Sequence, residues 1–291
     1  MEYQKIVRAI LSNRNYSVGQ QISSIKRDVN PSEYKDALKF HPIFNKHIHK
    51  SQFFKTINEV HIKDAYVFTR DFRREYRWIV NIIENYFEEI NSFMGFKTKF
   101  EYSFIIGDYD NARKIIREVE SLYGVSLWSI EADLMIEEYT GGSEANWNKL
   151  SYYLAEIKNP IYEFIANSSS KRIESKLSHE SFTNQFQNDI GNINADSMII
   201  DFFVFKNFHV ANYEYKYKNL ESVLFVSNIF SIIDQYLILI DVIQYNVSTS
   251  QDHDKLFLPF LNKTKEYISN DNRITNIYNV INNKNSFWRI K

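Results

Sequence analysis

Four arginines in one short segment could anchor an anionic partner, and we call them the arginine strip: Arg70, Arg73, Arg74 and Arg77. Their three- and four-residue spacing predicts one face of a helix, opposite an apolar stripe that includes Phe72 and Tyr76. Like charges at such spacings each cost about 0.2–0.5 kcal/mol, and the helix dipole opposes cations near a helix start. The strip is therefore either a solvated face, balanced by Asp71, Glu75 or a neighbouring helix, or an anchor for phosphates or an acidic partner.

An acidic protein surface is the first partner that we expect for the arginine strip, and a nucleic-acid backbone is the second. Aromatic residues that could stack on bases alternate with the arginines only at Tyr76 and Trp78, and Tyr76 belongs to the apolar stripe. The chain has 35 basic and 36 acidic side chains and a net charge of −1, so no global field attracts nucleic acid or an anionic membrane. Binding of either kind would have to be local, and no membrane partner is expected.

Arg172 and His179 form a second candidate pair, because a spacing of seven residues would place both on one face of a helix. The segment resembles the arginine and histidine motif of HEPN-type ribonucleases, which are all-α proteins in which the two residues act together on an RNA phosphate. It departs from that pattern at Ile173, where the family usually has a polar residue. The resemblance implies an alternative in which the protein is a ribonuclease with Arg172 and His179 as catalytic residues.

Metal and cofactor chemistry have little support in the sequence. Three histidines lie close together at His41, His47 and His49, but residues two apart do not share a helical face and no carboxylate stands among them at ligand spacing. Four carboxylates between positions 131 and 138 are explained as the polar flank of an apolar stripe; they are Glu131, Asp133, Glu137 and Glu138. The chain has no cysteine and no glycine-rich phosphate loop, so we expect neither a metal nor a cofactor.

The segment from Gly107 to Trp128 predicts the architecture. Gly107 and Gly124 are each placed to end a helix in the left-handed conformation, while Asp108, Asp110 and Ser126 offer side-chain oxygens to the next helix starts. Between them, apolar residues recur at three- and four-residue spacing: Ala112, Ile115, Ile116, Val119 and Tyr123. The pattern predicts three antiparallel helices in succession, with Ala112 at a close helix crossing.

Part of this segment resembles the second half of a tetratricopeptide repeat, on Gly107, Tyr109, Ala112, Ile116 and Val119. The match covers roughly one unit of about 34 residues. It departs from the family at Phe100, near a position that prefers a small residue, and at Gly124, where the family has a proline. The resemblance implies a tetratricopeptide-like array, and stacked helices of that kind offer extended binding surfaces. We also note a resemblance, carried by no motif, to helical proteins of bacterial antiphage defence loci, which implies a role in such a system.

Composition favours an all-α fold, a helical solenoid of about ten to fourteen helices. The four prolines and seven glycines are few for 291 residues, which disfavours turn-rich sheets. We expect one helical domain over residues 1–291, with sub-parts 1–69, 70–190 and 191–291. The start has no signal-peptide pattern and no apolar run is long enough to span a membrane, so we expect a cytoplasmic protein. Its predicted function is that of a non-enzymatic interaction, scaffold or sensor protein; the sequence identifies no oligomeric state.

Several helices are predicted from apolar periodicity, namely 32–50, 53–68, 71–93 and 143–157, with 220–247 as one long helix or two stacked ones. The apolar run at 198–210 suits a buried strand as well as a helix, and its helical context favours a helix. One side of the 53–68 helix would carry Ile57, His61, Ala65 and Phe68. Trp147 is predicted to face inward, and Ser168 to Ser170 to form a loop.

Overall fold

The computed structural model describes residues 2–50, 52–62, 66–209, 219–249 and 254–287. Within these ranges the regular structure consists of fifteen α-helices, two 3-10 helices (Pro31–Glu33 and Ile57–Ile62) and one isolated β-bridge between Phe54 and Val125. The all-α fold class predicted from the sequence is confirmed, with slightly more helices than expected.

The α-helices, numbered in chain order, are α1 (Glu2–Ser12), α2 (Val18–Asp28), α3 (Tyr34–Lys39), α4 (Pro42–Ile48), α5 (Phe72–Ile83), α6 (Phe87–Ile105), α7 (Tyr109–Tyr123), α8 (Leu127–Glu156), α9 (Pro160–Ile173), α10 (His179–Asn192), α11 (Ser197–Phe208), α12 (Leu220–Ser227), α13 (Ile232–Thr249), α14 (Asp254–Tyr267) and α15 (Asn272–Phe287).

The central helices α6, α7, α8 and α9 pack on one another in sequence order. The turns between the first three follow the prediction: Gly107 and Gly124 have φ values of 78° and 73°, and Asp108 and Ser126 cap α7 and α8 with their side chains. Gly124 has a second reason to be glycine, because a Cβ there would collide with the backbone of Phe54. Val125 N donates to Phe54 O at 2.7 Å, and this bond joins the segment before the second 3-10 helix to the start of α8.

Helix α8 bends sharply at Gly142, whose φ of 75° is not helical. The break agrees with the prediction that a new helix begins near Ser143. Leu150 and Tyr153 in the second half of α8, and Ile157 just after its end, are buried in the core. Trp147 was predicted to face inward, but its side chain is 60% exposed. The spacing of apolar residues located the buried stripe correctly, but Trp147 lies at the edge of that stripe and its ring faces solvent.

The predicted helix over 71–93 is interrupted, and the structure ends α5 at Ile83 and begins α6 at Phe87. Asn85 accounts for the break, because its amide Nδ2 donates to the carbonyls of Asn81 (2.7 Å) and Ile82 (3.3 Å) at the end of α5. The apolar stripe continues across the break, since Ile79, Ile83, Phe87 and Ile90 are all buried.

Three other sequence expectations need correction. The 32–50 helix is divided into α3 and α4, because Pro42 cannot continue a helix but suits the first turn of a new one. The described residues of the 53–68 segment form the second 3-10 helix and, at 66–69, no regular secondary structure; Ala65 and the His61 side chain lie outside the described structure. The predicted loop at Ser168 to Ser170 is helical and buried within α9, where Ser169 Oγ donates to Glu131 at 2.7 Å and Ser170 Oγ to Asn146 at 2.9 Å.

Helix α13 packs against α12 and α15 and also against α5 and α6, and it is buried on several sides as its density of apolar residues predicted. The 220–247 segment forms two helices, α12 and α13, and the 198–210 segment is helical as α11; Val210 itself lies outside the described residues. Asp234 of α13 links this region to the centre, because its carboxylate accepts from the free amides of Leu127 (2.9 Å) and Trp128 (3.1 Å) at the start of α8. Burial raises the pKa of this carboxyl, although Ser231 and the two amides act against that effect.

Candidate functional site

A cleft of about 580 Å³ lies between α7, the two halves of α8 and the segment 55–58, and we call it the α7–α8 cleft. The sequence places its walls by periodicity. Ala112, Ile115 and Val119 form the face of α7 that is buried in the core. Residues at positions 113, 116, 117 and 120 form a neighbouring face of the same helix and line the cleft. The Phe54–Val125 bridge holds the segment 55–58 at the C-terminal end of α7.

Charged side chains of both signs line the cleft. The cations are Lys55, Arg113, Arg117 and Lys149, and the carboxylates are Glu120, Asp133, Glu137 and Glu156. Apolar side chains, among them Ile57, Ile116 and Val125, also line the cleft. The eight charged side chains suit a ligand that carries charged groups of its own.

Half of these charges are paired with each other. Arg113 Nη2 lies 2.9 Å from Glu137 Oε1, and Lys149 Nζ lies 2.6 Å from Asp133 Oδ2. Tyr153 donates its hydroxyl to the same Asp133 oxygen at 2.7 Å, and the Lys149 ammonium lies 5.3 Å from the centre of the Tyr153 ring. These two pairs cross-link α7 and the two halves of α8 around the cleft.

The other charges in the cleft have weaker ties. Lys55, Arg117 and Glu120 form no ion pair with any residue that the structure describes, and Glu156 accepts only an amide hydrogen bond, from Asn58 Nδ2 at 2.8 Å. Burial raises the pKa of Glu120 and the negative charge of Asp133 adds to this effect, whereas a hydrogen bond with Ser129 and the charge of Lys149 oppose it. The Oδ1 atom of Asn58 is buried and has no hydrogen-bond partner among the residues that the structure describes. Lys55, Arg117 and Asn58 Oδ1 are therefore open to a ligand, and the carboxylates of Glu120 and Glu156 can each accept more hydrogen bonds than they receive.

An aromatic ring stands at the edge of the cleft. Tyr152 lines it, is 63% exposed, and has the Lys149 ammonium 5.6 Å from its ring centre. Exposed tyrosines of this kind supply contact area and one polar end at protein interfaces.

Sequence reasoning missed most of this cleft. It assigned Asp133 and Glu137 to a polar flank, and it did not single out Arg113, Arg117 or Glu120. A signal was present, since these three residues share one face of α7 beside the predicted core stripe. Glu131, from the same carboxylate group, faces a different region, where it pairs with Lys206 at 3.0 Å.

The arginine strip does not form as predicted. Arg70 precedes α5 and has a φ of 55°, so it is not on the helix. Arg74 points inward, where its Nη1 donates to the carbonyls of Lys26 (3.2 Å) and Val29 (2.9 Å) at the end of α2. Arg73 is exposed and Arg77 half-buried, and neither forms an ion pair within the described part of the chain. The prediction of four arginines on one helical face was therefore wrong, and two of the four share an open face.

Arg172 and His179 lie on two different helices, α9 and α10, so the predicted shared face does not exist. Arg172 lies 3.6 Å from the Glu131 carboxylate and donates to Lys206 O at 3.4 Å. The His179 ring packs near Phe208, with 6.4 Å between ring centres. The two side chains thus have separate surroundings.

The three clustered histidines also have separate surroundings. His41 Nδ1 accepts from Ile43 N at the start of α4, His49 Nδ1 lies 2.8 Å from the Tyr86 hydroxyl, and the His47 ring lies near Tyr66. Among the described residues, no group of three or more histidine, aspartate or glutamate side chains is arranged to hold a metal ion.

Comparisons with protein-family models, with curated proteins and with solved structures gave no significant match. In the described ranges, no helix combines the length and apolar character needed to cross a membrane.

Proposed function

We propose that the protein is a non-enzymatic interaction protein that binds a segment of another polypeptide in the α7–α8 cleft. The observation that supports this function best is the set of open hydrogen-bonding and charged groups in the cleft: Arg117, Glu120, Glu156 and the Asn58 Oδ1 atom. A polypeptide carries both donors and acceptors along its backbone and both signs of charge on its side chains, which matches this mixed lining. The volume of about 580 Å³ is sufficient for a few residues of an extended chain.

The ribonuclease alternative has less support than peptide binding. A catalytic arginine must be free to contact a phosphate, and Arg172 contacts a carboxylate, Glu131, that Lys206 also neutralises. Incubation of the purified protein with mixed RNA tests this alternative. If the wild-type protein cleaves RNA and both Arg172→Ala and His179→Ala lose this activity, the ribonuclease function would replace our proposal.

Site-specific photocrosslinking in cells tests the proposal directly. The photoreactive amino acid p-benzoylphenylalanine would replace Tyr152 at the edge of the cleft or, as a control, Tyr102 on α6, which is 66% exposed and does not line the cleft. We expect a protease-sensitive adduct at position 152 only. Adding Arg117→Glu should abolish the adduct, whereas Lys114→Glu, on an exposed part of α7 outside the cleft, should preserve it. Equal adducts at both positions, or a nuclease-sensitive adduct, would contradict the proposal.

A second contact surface is supported by Arg73 and Arg77, which are neighbours on α5 and pair with no described carboxylate. We propose that they add an acidic protein contact, with a nucleic-acid backbone as the alternative. Several phosphate contacts would make affinity fall log-linearly with salt, while a protein interface retains a salt-insensitive part. The double variant Arg73→Glu and Arg77→Glu should weaken binding and preserve the fold. Unchanged affinity would assign these arginines to an ordinary solvated face.

The cytoplasmic location, the tetratricopeptide-like stacking and the role in a bacterial defence system stay predictions from the sequence. They agree with an interaction protein but are not needed for the peptide-binding proposal.

A further inference from the structure

The α7–α8 cleft changes sign along the axis of α7. Arg113 and Arg117 lie toward the N-terminal end of the helix, and Arg113 is already paired with Glu137. Glu120 lies one turn further toward the C-terminal end and is half-buried. Residues three apart on a helix have Cβ atoms about 5–6 Å apart, so Arg117 and Glu120 present opposite charges side by side on one wall.

The C-terminal end of the cleft is rich in hydrogen-bond acceptors, one of which lacks a donor among the described residues. The Phe54–Val125 bridge brings Asn58 to this end, where its Oδ1 atom is buried without a partner. Glu156 belongs to the same end through its hydrogen bond with Asn58. Lys55 also lies here, but its side chain is exposed to solvent. Buried acceptors without donors are uncommon in folded proteins, so a donor-rich group from a ligand fits this end.

The middle of the cleft is electrically satisfied and would not select a charge. Asp133 there accepts both the Lys149 ammonium at 2.6 Å and the Tyr153 hydroxyl at 2.7 Å. A ligand charge is therefore selected at two positions: at the guanidinium of Arg117 and at the acceptors around Glu120.

We infer that the cleft selects a polypeptide segment with a lysine or arginine and an acidic residue two positions apart, the cation against Glu120 and Asn58 and the carboxylate against Arg117. The spacing follows from geometry, since side chains two apart in an extended chain share a face and are about 6.6–6.8 Å apart. Charge-assisted hydrogen bonds of this kind are the strong ones at interfaces. This inference rests on the proposed peptide-binding function and adds the chemical class of the bound segment.

Four fluorescently labelled peptides test the inference by anisotropy titration of the full chain. They share the frame Gly-Ser-X-Ser-Z-Ser-Gly, where X and Z are Lys and Glu, Lys and Lys, Glu and Glu, or Gln and Gln. The wild-type protein should bind the Lys and Glu peptide about tenfold more tightly than each of the others, because it gains at least one charge-assisted hydrogen bond over every one of them. Equal binding of all four peptides, or no binding of any, would overturn the inference.

Charge reversal in the protein provides the complementary arm. Glu120→Arg should move the preference to the Glu and Glu peptide, and Arg117→Glu should move it to the Lys and Lys peptide. Lys114→Glu changes the charge of α7 by the same amount as Arg117→Glu, but at an exposed position outside the cleft. It should leave the peptide preference unchanged. Circular dichroism of each variant shows whether it is folded. An unchanged preference in the folded Glu120→Arg variant would also overturn the inference.

Failure of this inference can be told from failure of the proposed function. A polypeptide adduct at position 152 together with no charge preference among the peptides would retain the function and reject the selected class. Absence of that adduct would reject the function itself.

Discussion

The charged groups between α2 and α5 differ from those of the α7–α8 cleft in how completely they are paired. Lys26 Nζ lies 2.6 Å from Glu75 Oε2, and both side chains are fully buried. The second oxygen of Glu75 accepts from Thr69 N at 2.9 Å and Thr69 Oγ1 at 2.6 Å. The Lys26 ammonium also lies 5.2 Å from the centre of the Phe225 ring. In the cleft, by contrast, Arg117 and Glu120 have no ion-pair partner among the described residues.

The difference shows which charges the fold requires. A buried ion pair is tolerated only when both partners and their remaining hydrogen bonds are in place, because desolvation of each ion is costly. Charges in a cleft that is open to solvent have no such requirement, so they can stay unpaired until a ligand binds. We therefore expect substitutions in the first region to change stability and substitutions in the second to change binding.

The largest effect is expected for Lys26→Met, which leaves the carboxylate of Glu75 buried without its counter-ion. Burial lowers the pKa of Lys26, and the charge of Glu75 opposes this shift, so the pair is balanced only as a unit. We expect a loss of about 3–5 kcal/mol in the free energy of unfolding, measured by urea denaturation. The double variant Lys26→Met and Glu75→Leu should recover most of it. If Lys26→Met were as stable as wild type, the fold would not require this ion pair, and the contrast with the cleft would fail.

A smaller loss is expected for Asp234→Ala, which removes the acceptor for the Leu127 and Trp128 amides at the start of α8. The unfolding free energy should fall by about 1–3 kcal/mol, because two buried donors lose their partner. Asp189→Ala is a suitable control, since its pair with Lys171 is solvent-exposed and should contribute at most about 1 kcal/mol. Equal losses of stability in the two variants would show that the hydrogen bonds of Asp234 to the start of α8 contribute no more than an exposed ion pair.

Overpacking at Ala112 should have a comparable effect. This residue is fully buried on α7, so Ala112→Phe should cost about 1–3 kcal/mol by thermal or urea denaturation. Lys114→Phe, on an exposed position of the same helix, should stay within about 0.5 kcal/mol of wild type. An unchanged midpoint for Ala112→Phe would mean that the core face of α7 yields easily.

Acid should weaken the paired regions selectively, and Asp271 is a clear probe. Burial alone would raise the pKa of Asp271, but its hydrogen bonds and ion pair with Arg273, aided by the Tyr236 hydroxyl, lower it. A lowered pKa contributes stability that is present above the unfolded value of about 3.9 and is lost as the pH falls through the folded value. Asp271→Asn should therefore be less stable than wild type at about pH 6, and this difference should narrow at about pH 3. If the difference in unfolding free energy between wild type and Asp271→Asn stayed constant over this pH range, the lowered pKa of Asp271 would be contradicted.

The sequence was informative where structure is determined by neighbouring residues. Gly107 and Gly124 with their caps, Asp108 and Ser126, were predicted correctly because the signals lie within one turn of the helix ends. Segments fixed by distant partners were predicted incorrectly. Ser169, for example, reads as part of a loop in sequence but is buried in α9, where Glu131 accepts its hydroxyl.

The candidate site escaped prediction for the same reason. The cleft is assembled from α7, the two halves of α8 and the segment 55–58, so no single stretch of sequence contains it. The arginine strip was predicted from one stretch and failed because α2 captures Arg74 through its terminal carbonyls. Spacing along a helix identifies which side chains share a face, but it does not show which of them a neighbouring helix will bind.

The most direct test of the central claim measures stability and binding on the same two variants, Arg117→Gln in the cleft and Lys114→Gln outside it. Urea denaturation gives the free energy of unfolding, and anisotropy with the Lys and Glu peptide gives the affinity. We expect both variants to stay within about 0.5 kcal/mol of wild type in stability, while only Arg117→Gln loses affinity, by about tenfold. A loss of stability well above 1 kcal/mol in Arg117→Gln, or equal affinities in the two variants, would show that the open charges of the cleft are not held for a partner.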